Sequence, residues 1–166
     1  KFVAALAVVP LVFSLAACGS SSNGNGDSKK ITIGVVGNET ANQVLKDEAA
    51  KQGITIEYSE FTDYAQPNPA VDAGDNDMNR FQHIAYLANY NVSSGKDLQI
   101  VGSTNIYPMA IFSKKHKKVD EIPQGGTIAI PNDSVNEARA LLLLKAQNLV
   151  TFKSEVHTPT HNDIDT

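Results

Sequence analysis

The chain has 166 residues, of which 42% are hydrophobic and 19% are charged, and its formal net charge is −4 at pH 7. This net negative charge argues against a nucleic-acid partner. Cys18 is the only cysteine, so the chain forms no internal disulfide and has to fold on its hydrophobic core.

An uncharged apolar segment, residues 2–17, opens the chain and ends with two alanines directly before Cys18. It is too short for a comfortable membrane span, which takes about 20 apolar residues. Small residues before a cysteine are typical of a lipoprotein signal peptide. The pattern therefore predicts a signal peptide over residues 1–17, a lipid on Cys18 and an extracytoplasmic location at the cell membrane or outer membrane. The alternative is a core helix whose cysteine follows two alanines by chance.

The next ten residues, 19–28, contain only Gly, Ser, Asn and Asp. This composition is typical of a flexible linker. The sequence therefore predicts a lipidated tether over residues 18–30, which holds a folded body close to a membrane surface.

The folded body starts with a strand, a helix and a second strand. Residues 31–36 are mostly apolar and stop at Gly37, which predicts a buried strand followed by a turn. Apolar residues at helical spacing over 41–49 predict a helix, and Gly53 supplies a left-handed residue at its end. Residues 54–58 predict the second strand. Such a unit is the building block of an open, parallel α/β sheet.

Further along, the composition predicts strands over 98–101, 107–112 and 127–130, and an apolar helix over 133–148. The chain is thus of the α/β class throughout. Ligands of open α/β sheets bind at the carboxyl ends of the strands, so the segments after each strand are candidate sites.

Two candidate clusters contain aromatic residues. Tyr64 lies in a loop after the second strand, and Pro67 stiffens that loop. Phe81 is followed by His83 and Tyr86, which are three residues apart and are expected to share one helix face. The alternatives are ordinary: tyrosine and proline are common in packed loops, and a neutral histidine is often satisfied inside a core.

The third cluster opens the 133–148 helix. Ser134 and Glu137 have the spacing of a capping box, which predicts where the helix begins. Asn136 and Arg139 are expected to share one face near the helix N-terminus, where the Arg139 guanidinium is suited to a carboxylate such as that of a free amino acid. The alternative is a solvated surface arginine.

The remaining histidines are too scattered for a zinc site, so no metal or other cofactor is expected: His116, His157 and His161. An enzyme that uses His83 with Asp63 or Asp77 as an acid–base set is a second hypothesis. It lacks a nucleophile motif and a glycine-rich phosphate loop.

Together these clusters resemble a known family, the bacterial methionine-binding lipoproteins of the NlpA type, which serve ABC importers. The resemblance covers residues 31–152. Five segments carry it in order: DYAQPN at 63–68, GDND at 74–77, FQHIAYL at 81–87, VGSTNIYPMAIFSKK at 101–115 and TIAIPNDSVNEARALLLL at 127–144.

The resemblance implies a type II periplasmic-binding-protein-like fold, with a first α/β lobe over 31–112 and part of a second lobe over 113–166. It implies a binding protein, not an enzyme, which captures L-methionine and delivers it to an ABC permease and its ATPase. It also assigns roles within the site. Tyr64, Phe81 and Tyr86 form an aromatic wall around the thioether. His83 is a polar contact at the pocket edge, Asn136 is a hydrogen-bond partner of the amino-acid head group, and Arg139 is the carboxylate clamp.

The chain also departs from the family pattern. Family members continue beyond the position of Thr166, so the second lobe and the return to the first lobe are expected to be incomplete. This leaves a third hypothesis, a remnant or surface adhesin of the same fold that transports nothing. Asn76 and Arg80 replace residues that are usually apolar in the family, and Arg80 could bring a second cation toward the pocket.

Overall fold

The computed structural model describes residues 29–37 and 39–165. The predicted signal peptide, Cys18 and most of the tether lie outside these ranges. The regular elements in chain order are β1 (Lys29–Val36), α1 (Thr40–Ala50), β2 (Ile54–Phe61), α2 (Pro67–Asp72), β3 (Met78–Arg80), α3 (Ile84–Ser94), α4 (Ser134–Ala146), β4 (Thr151–Phe152) and β5 (Ile164–Asp165).

A parallel sheet in the order β2-β1-β3 forms the centre of the fold. β1 pairs with β2 from Lys29 opposite Ile54 to Val36 opposite Phe61, and α1 connects the two strands. This confirms the predicted strand–helix–strand unit. Gly53 has φ +72°, the left-handed conformation that the sequence predicted after α1.

The core lies between α1 and the sheet. Ile33, Val35, Ile56 and Ala49 are buried, and Leu45 packs against them from α1. Burying a valine, leucine or isoleucine side chain contributes about 1.5–3 kcal/mol to stability. These residues therefore determine which face of the sheet α1 covers.

The short strand β3 was not predicted from the sequence, and the residue before it ties it to β1. The Asp77 carboxylate accepts hydrogen bonds from the Thr32 backbone N–H at 2.6 Å and from the Thr32 hydroxyl at 2.8 Å. These bonds lower the pKa of Asp77. They add to a ladder in which β3 pairs with β1 over only three residues.

Helix α4 begins one residue away from the predicted capping arrangement. Asp133 is the N-cap, and its Oδ1 accepts a hydrogen bond from the Asn136 N–H at 2.9 Å. The predicted capping box of Ser134 with Glu137 is therefore wrong, because Asp is as good an N-cap as Ser and shifts the first turn. Glu137 instead accepts a hydrogen bond from the His161 N–H at 2.8 Å.

The strands predicted over 98–101, 107–112 and 127–130 are also wrong, since these segments are irregular. A β ladder needs a neighbouring strand, and none pairs with them within the described residues. Their apolar side chains are left in solvent: Ile106 is 95% exposed and Phe112 is 90% exposed. Over the described ranges, no helix has both the length and the apolar character that crossing a membrane requires.

Candidate functional site

Three aromatic rings meet at the carboxyl edge of the sheet. The centroid of Tyr64 lies 5.9 Å from that of Phe81 and 6.3 Å from that of Tyr86, and the Phe81 and Tyr86 centroids are 5.8 Å apart. These spacings and the tilted, edge-to-face geometries are those of interacting aromatic pairs. We call these three residues the ring cluster.

Local hydrogen bonds position the Tyr64 ring. Asp63 Oδ1 accepts from the Ala65 N–H at 2.6 Å, which makes a tight turn around Tyr64. Pro67 then occupies the first turn of α2 and is fully buried, so the end of this loop is rigid. The tyrosine itself stays 48% exposed, so part of its side chain is accessible to a ligand.

A network of side-chain amides supports the backbone on either side of Phe81. Asn68 is only 1% exposed. Its Nδ2 donates to Gln82 Oε1 at 2.9 Å, and Gln82 Nε2 donates back to Asn68 Oδ1 at 2.6 Å. Asn79 Nδ2 also donates to Asn68 Oδ1 at 2.9 Å. Sequence reasoning missed this network, because isolated amides give no periodic signal.

The sequence predicted that His83 shares a helix face with Tyr86. This prediction is wrong, because His83 lies just before α3. It is the N-cap of α3, and its Nδ1 accepts a hydrogen bond from the Tyr86 N–H at 3.2 Å. Because Nδ1 is the acceptor, the ring proton belongs on Nε2. Nε2 lies 2.9 Å from Asn136 Oδ1 and donates to it.

Asn136 connects His83 to Arg139. Its Oδ1 accepts from His83 and also from Arg139 Nη1 at 2.9 Å. Its Nδ2 donates to both oxygens of Asp133, at 3.1 and 3.0 Å. These partners determine the orientation of the buried amide. Asp133 was not among the predicted site residues, although an aspartate directly before Ser134 is itself an N-cap signal.

Arg139 is a half-buried cation without an anionic partner. In the part of the chain that the structure describes, its guanidinium forms no ion pair, and its hydrogen bond goes to the neutral amide of Asn136. A partly desolvated charge without a counterion is costly, and a ligand carboxylate would offset that cost.

Arg80, the other arginine, is already paired. Its Nη1 donates to Glu39 Oε2 at 2.9 Å and to Asn42 Oδ1 at 2.7 Å, and its Nη2 donates to Asn105 at 2.9 Å. These contacts engage the guanidinium at the start of α1, so it is not available as a second free cation. Asn76, the other departure from the family pattern, is buried and accepts from the Ser59 hydroxyl at 2.7 Å.

The charge around Tyr86 is negative. Burial raises the pKa of the Tyr86 phenol, and the charges of Asp133 and Asp63 raise it further. Tyr86 is therefore a neutral phenol at pH 7. The site thus has a cation at Arg139 and carboxylates nearby, an arrangement that matches the two opposite charges of a free amino acid.

The structure brings all six predicted site residues into one connected group: Tyr64, Phe81, His83, Tyr86, Asn136 and Arg139. His83 belongs to the predicted first lobe and Asn136 to the predicted second, while the boundary itself stays a prediction. A hollow of about 600 Å³ between the end of α4 and β4 is lined by other residues, among them Lys145 and Phe152. In that hollow the Lys145 ammonium lies over the Phe152 ring, 5.0 Å from its centroid. We place the candidate site at the ring cluster and Arg139, because the Arg139 guanidinium forms no ion pair within the described residues and is connected to three rings through Asn136 and His83.

Aromatic rings at the strand ends of an α/β sheet, connected to a guanidinium that forms no ion pair within the described residues, are typical features of small-molecule sites. A Burkholderia cenocepacia nutrient-binding protein solved with bound methionine shares this fold, with a TM-score of 0.74 and 38% identity over 81% of this chain and 58% of that chain. The substrate-binding protein of a methionine transporter from Streptococcus pneumoniae gives a TM-score of 0.72 at 38% identity, over 81% of this chain and 56% of that chain. The fold is thus periplasmic-binding-protein-like, and this chain covers part of it.

Residues 31–166 match the NlpA lipoprotein family, and the chain belongs to that family. The D-methionine-binding lipoprotein MetQ of Escherichia coli K12 is 40% identical over 94% of this chain and 58% of its own length. Outer membrane lipoprotein 3 of Mannheimia haemolytica is 40% identical over 93% of this chain and 57% of its own length. The chain therefore spans a little under three-fifths of these curated relatives.

Proposed function

We propose that this chain binds methionine as a lipid-anchored, extracytoplasmic substrate-binding protein and delivers it to an ABC importer. The observation that carries the proposal is the unpaired guanidinium of Arg139, connected through Asn136 and His83 to the ring cluster. The names of the relatives, which include methionine-binding proteins and lipoproteins, support both the ligand and the anchor.

The two ends of methionine suit the two ends of this site. The planar guanidinium of Arg139 can donate two parallel hydrogen bonds to the ligand carboxylate. The rings of Tyr64, Phe81 and Tyr86 offer apolar faces and edges to the thioether, and sulfur–ring contacts contribute about 0.3–1.5 kcal/mol. His83 and Asn136 hold the two ends together and place polar atoms beside the ligand head group.

An acid–base enzyme is less well supported by the geometry. Both ring nitrogens of His83 already have partners, the Tyr86 N–H and Asn136 Oδ1, and neither partner is a carboxylate. Asp77 is bound to Thr32 and Asp63 to the Ala65 N–H. A binding role needs no change in these contacts.

Calorimetric titration of the chain with L- and D-methionine tests the proposal. We expect saturable binding, with the L enantiomer as the implied ligand and the D enantiomer as the one that the curated relatives name. Arg139→Gln should weaken binding roughly 100-fold, since two charge-assisted hydrogen bonds contribute about 3 kcal/mol. Lys46→Gln is the matched control, because it removes the same charge from an exposed position of α1, on an element that carries none of the six site residues.

Three outcomes would contradict the proposal or redirect it. Equal weakening by Arg139→Gln and Lys46→Gln would show that only overall charge matters. No binding by a cooperatively folded chain would favour the remnant or adhesin. Turnover of an added ester or peptide would favour the enzyme.

A further inference from the structure

A strongly basic loop lies outside the candidate site. Residues 113–118 read SKKHKK. Four of the chain's 14 Lys and Arg residues lie in this loop, within the five positions 114–118. All four lysines are exposed: Lys114, Lys115, Lys117 and Lys118. The chain as a whole is acidic, so this loop is a local reversal of charge.

Hydrogen bonds to the backbone hold the loop in two bends. The Ser113 hydroxyl accepts from the N–H groups of Lys115 at 3.1 Å and His116 at 2.9 Å. Glu121 Oε2 accepts from the Lys117 N–H at 2.7 Å. The loop is therefore shaped by contacts to its main chain, which leave the lysine side chains in solvent.

The ammonium groups of the loop have no counterions. Across residues 29–37 and 39–165, none of the four lysines forms an ion pair. The nearby Glu121 carboxylate faces the backbone N–H groups. Clusters of four or more basic residues are typical of segments that bind anionic membrane surfaces.

We propose that this loop binds the anionic phospholipid headgroups of the membrane that carries the protein. The proposal rests on the lipid anchor of the proposed function, because a lipid on Cys18 would keep the loop at high effective concentration near the bilayer. Lysine ammonium groups on flexible stems suit a diffuse anionic surface, whereas specific protein interfaces are depleted in lysine and enriched in arginine and aromatic residues. The lipid and the basic loop then form two attachments, which together orient the body.

Vesicle binding tests this proposal with the full chain. Co-sedimentation is measured with vesicles of phosphatidylcholine alone and of phosphatidylcholine with about one third phosphatidylglycerol. The apolar N-terminal segment and any lipid on Cys18 contribute to binding of both vesicles, so the ratio between them reports the loop. We expect at least about ten-fold preference for anionic vesicles at low salt, which falls as salt screens the charges.

The fourfold change of Lys114, Lys115, Lys117 and Lys118 to Gln should reduce this preference to about two-fold or less. The matched control changes four other exposed lysines to Gln, in different parts of the described surface: Lys29, Lys46, Lys51 and Lys153. It removes the same net charge and should keep most of the preference.

Equal losses in both variants, or no loss in either, would overturn the proposal. Unchanged vesicle binding together with lost methionine uptake would assign the loop to a protein surface and would overturn it as well. Methionine titration of the same variants separates the two proposals. The loop variant is expected to bind methionine like the unmodified chain, and a chain without methionine affinity can still show the vesicle preference.

Discussion

Arg80 and Arg139 differ in their partners: Arg80 forms an ion pair, and within the described residues Arg139 has only a neutral amide. Arg80 is 12% exposed and has Glu39 and two asparagines as partners. Arg139 has one neutral amide partner and forms no ion pair within the described residues. Removing one partner of an internal ion pair is destabilising, whereas a guanidinium that has no ion pair is available to a ligand carboxylate. The following predictions test this difference, from the largest expected effect to the smallest.

The largest effect is expected on affinity at Arg139. Arg139→Gln should cost about 3 kcal/mol of methionine binding while changing the free energy of unfolding by less than about 1 kcal/mol, because no internal ion pair is lost. Calorimetry and urea unfolding of the same variant measure both quantities. A variant that unfolds easily but binds normally would reverse the assignment.

Arg80→Met should show the opposite behaviour. We expect a loss of about 2 kcal/mol in unfolding free energy, below the usual cost of breaking a buried pair because the Glu39 side chain is 42% exposed. Methionine affinity should stay within about two-fold. Lys30→Met is the control, since it breaks an exposed ion pair with Glu57 and should cost under about 0.5 kcal/mol. Equal destabilisation by the two variants would contradict a structural role for Arg80.

A change at Asp133 should lower stability moderately. Asp133→Ala removes the N-cap of α4, at about 1 kcal/mol of stability, and releases the Asn136 amide that holds Arg139. Asp133→Asn keeps a capping side chain and should retain most of that stability. Thermal unfolding of the two variants checks the expectation, and identical melting temperatures would contradict the capping role.

The smallest effect is expected at Asp77, which bonds to neither arginine within the described residues and affects the pH dependence of stability through its bonds to Thr32. Its pKa is lowered in the folded state by the Thr32 hydrogen bonds, so its contribution to stability is present above the unfolded pKa of 3.8. That contribution is lost as pH falls through the lower folded value. Asp77→Asn should therefore flatten the decline of stability below about pH 4. Asp75→Asn, with the same charge change, is the control, and parallel curves for all three chains would refute the expectation.

The sequence predicted best those features whose partners lie close together in the chain. β1, α1 and β2 follow one another directly, so hydrophobic periodicity and the Gly53 turn were enough. The strands predicted over 98–101, 107–112 and 127–130 were wrong, because a strand depends on neighbours that composition cannot supply. Arg139 and Asn136 were correctly placed on one face, since positions three apart on a helix are neighbours.

Contacts between distant segments were beyond sequence reasoning. The bond between His83 and Asn136 joins positions 53 residues apart, and the amide network around Asn68 joins α2 to β3. His83 lies next to Tyr86, as predicted, but the predicted reason was wrong, because His83 caps α3 and does not lie on its face. The His83–Asn136 bond and the Asn68 network both depend on tertiary packing, which buries polar side chains from distant parts of the chain next to one another.

A ligand–mutant cycle tests the central claim most directly. Methionine and methionine amide, which lacks the carboxylate, are each titrated into the unmodified chain and into Arg139→Gln. If the guanidinium holds the carboxylate, the unmodified chain prefers methionine roughly 100-fold and the variant shows almost no preference. A preference of equal size in both proteins would contradict the account, because the carboxylate would then be recognised somewhere other than at Arg139.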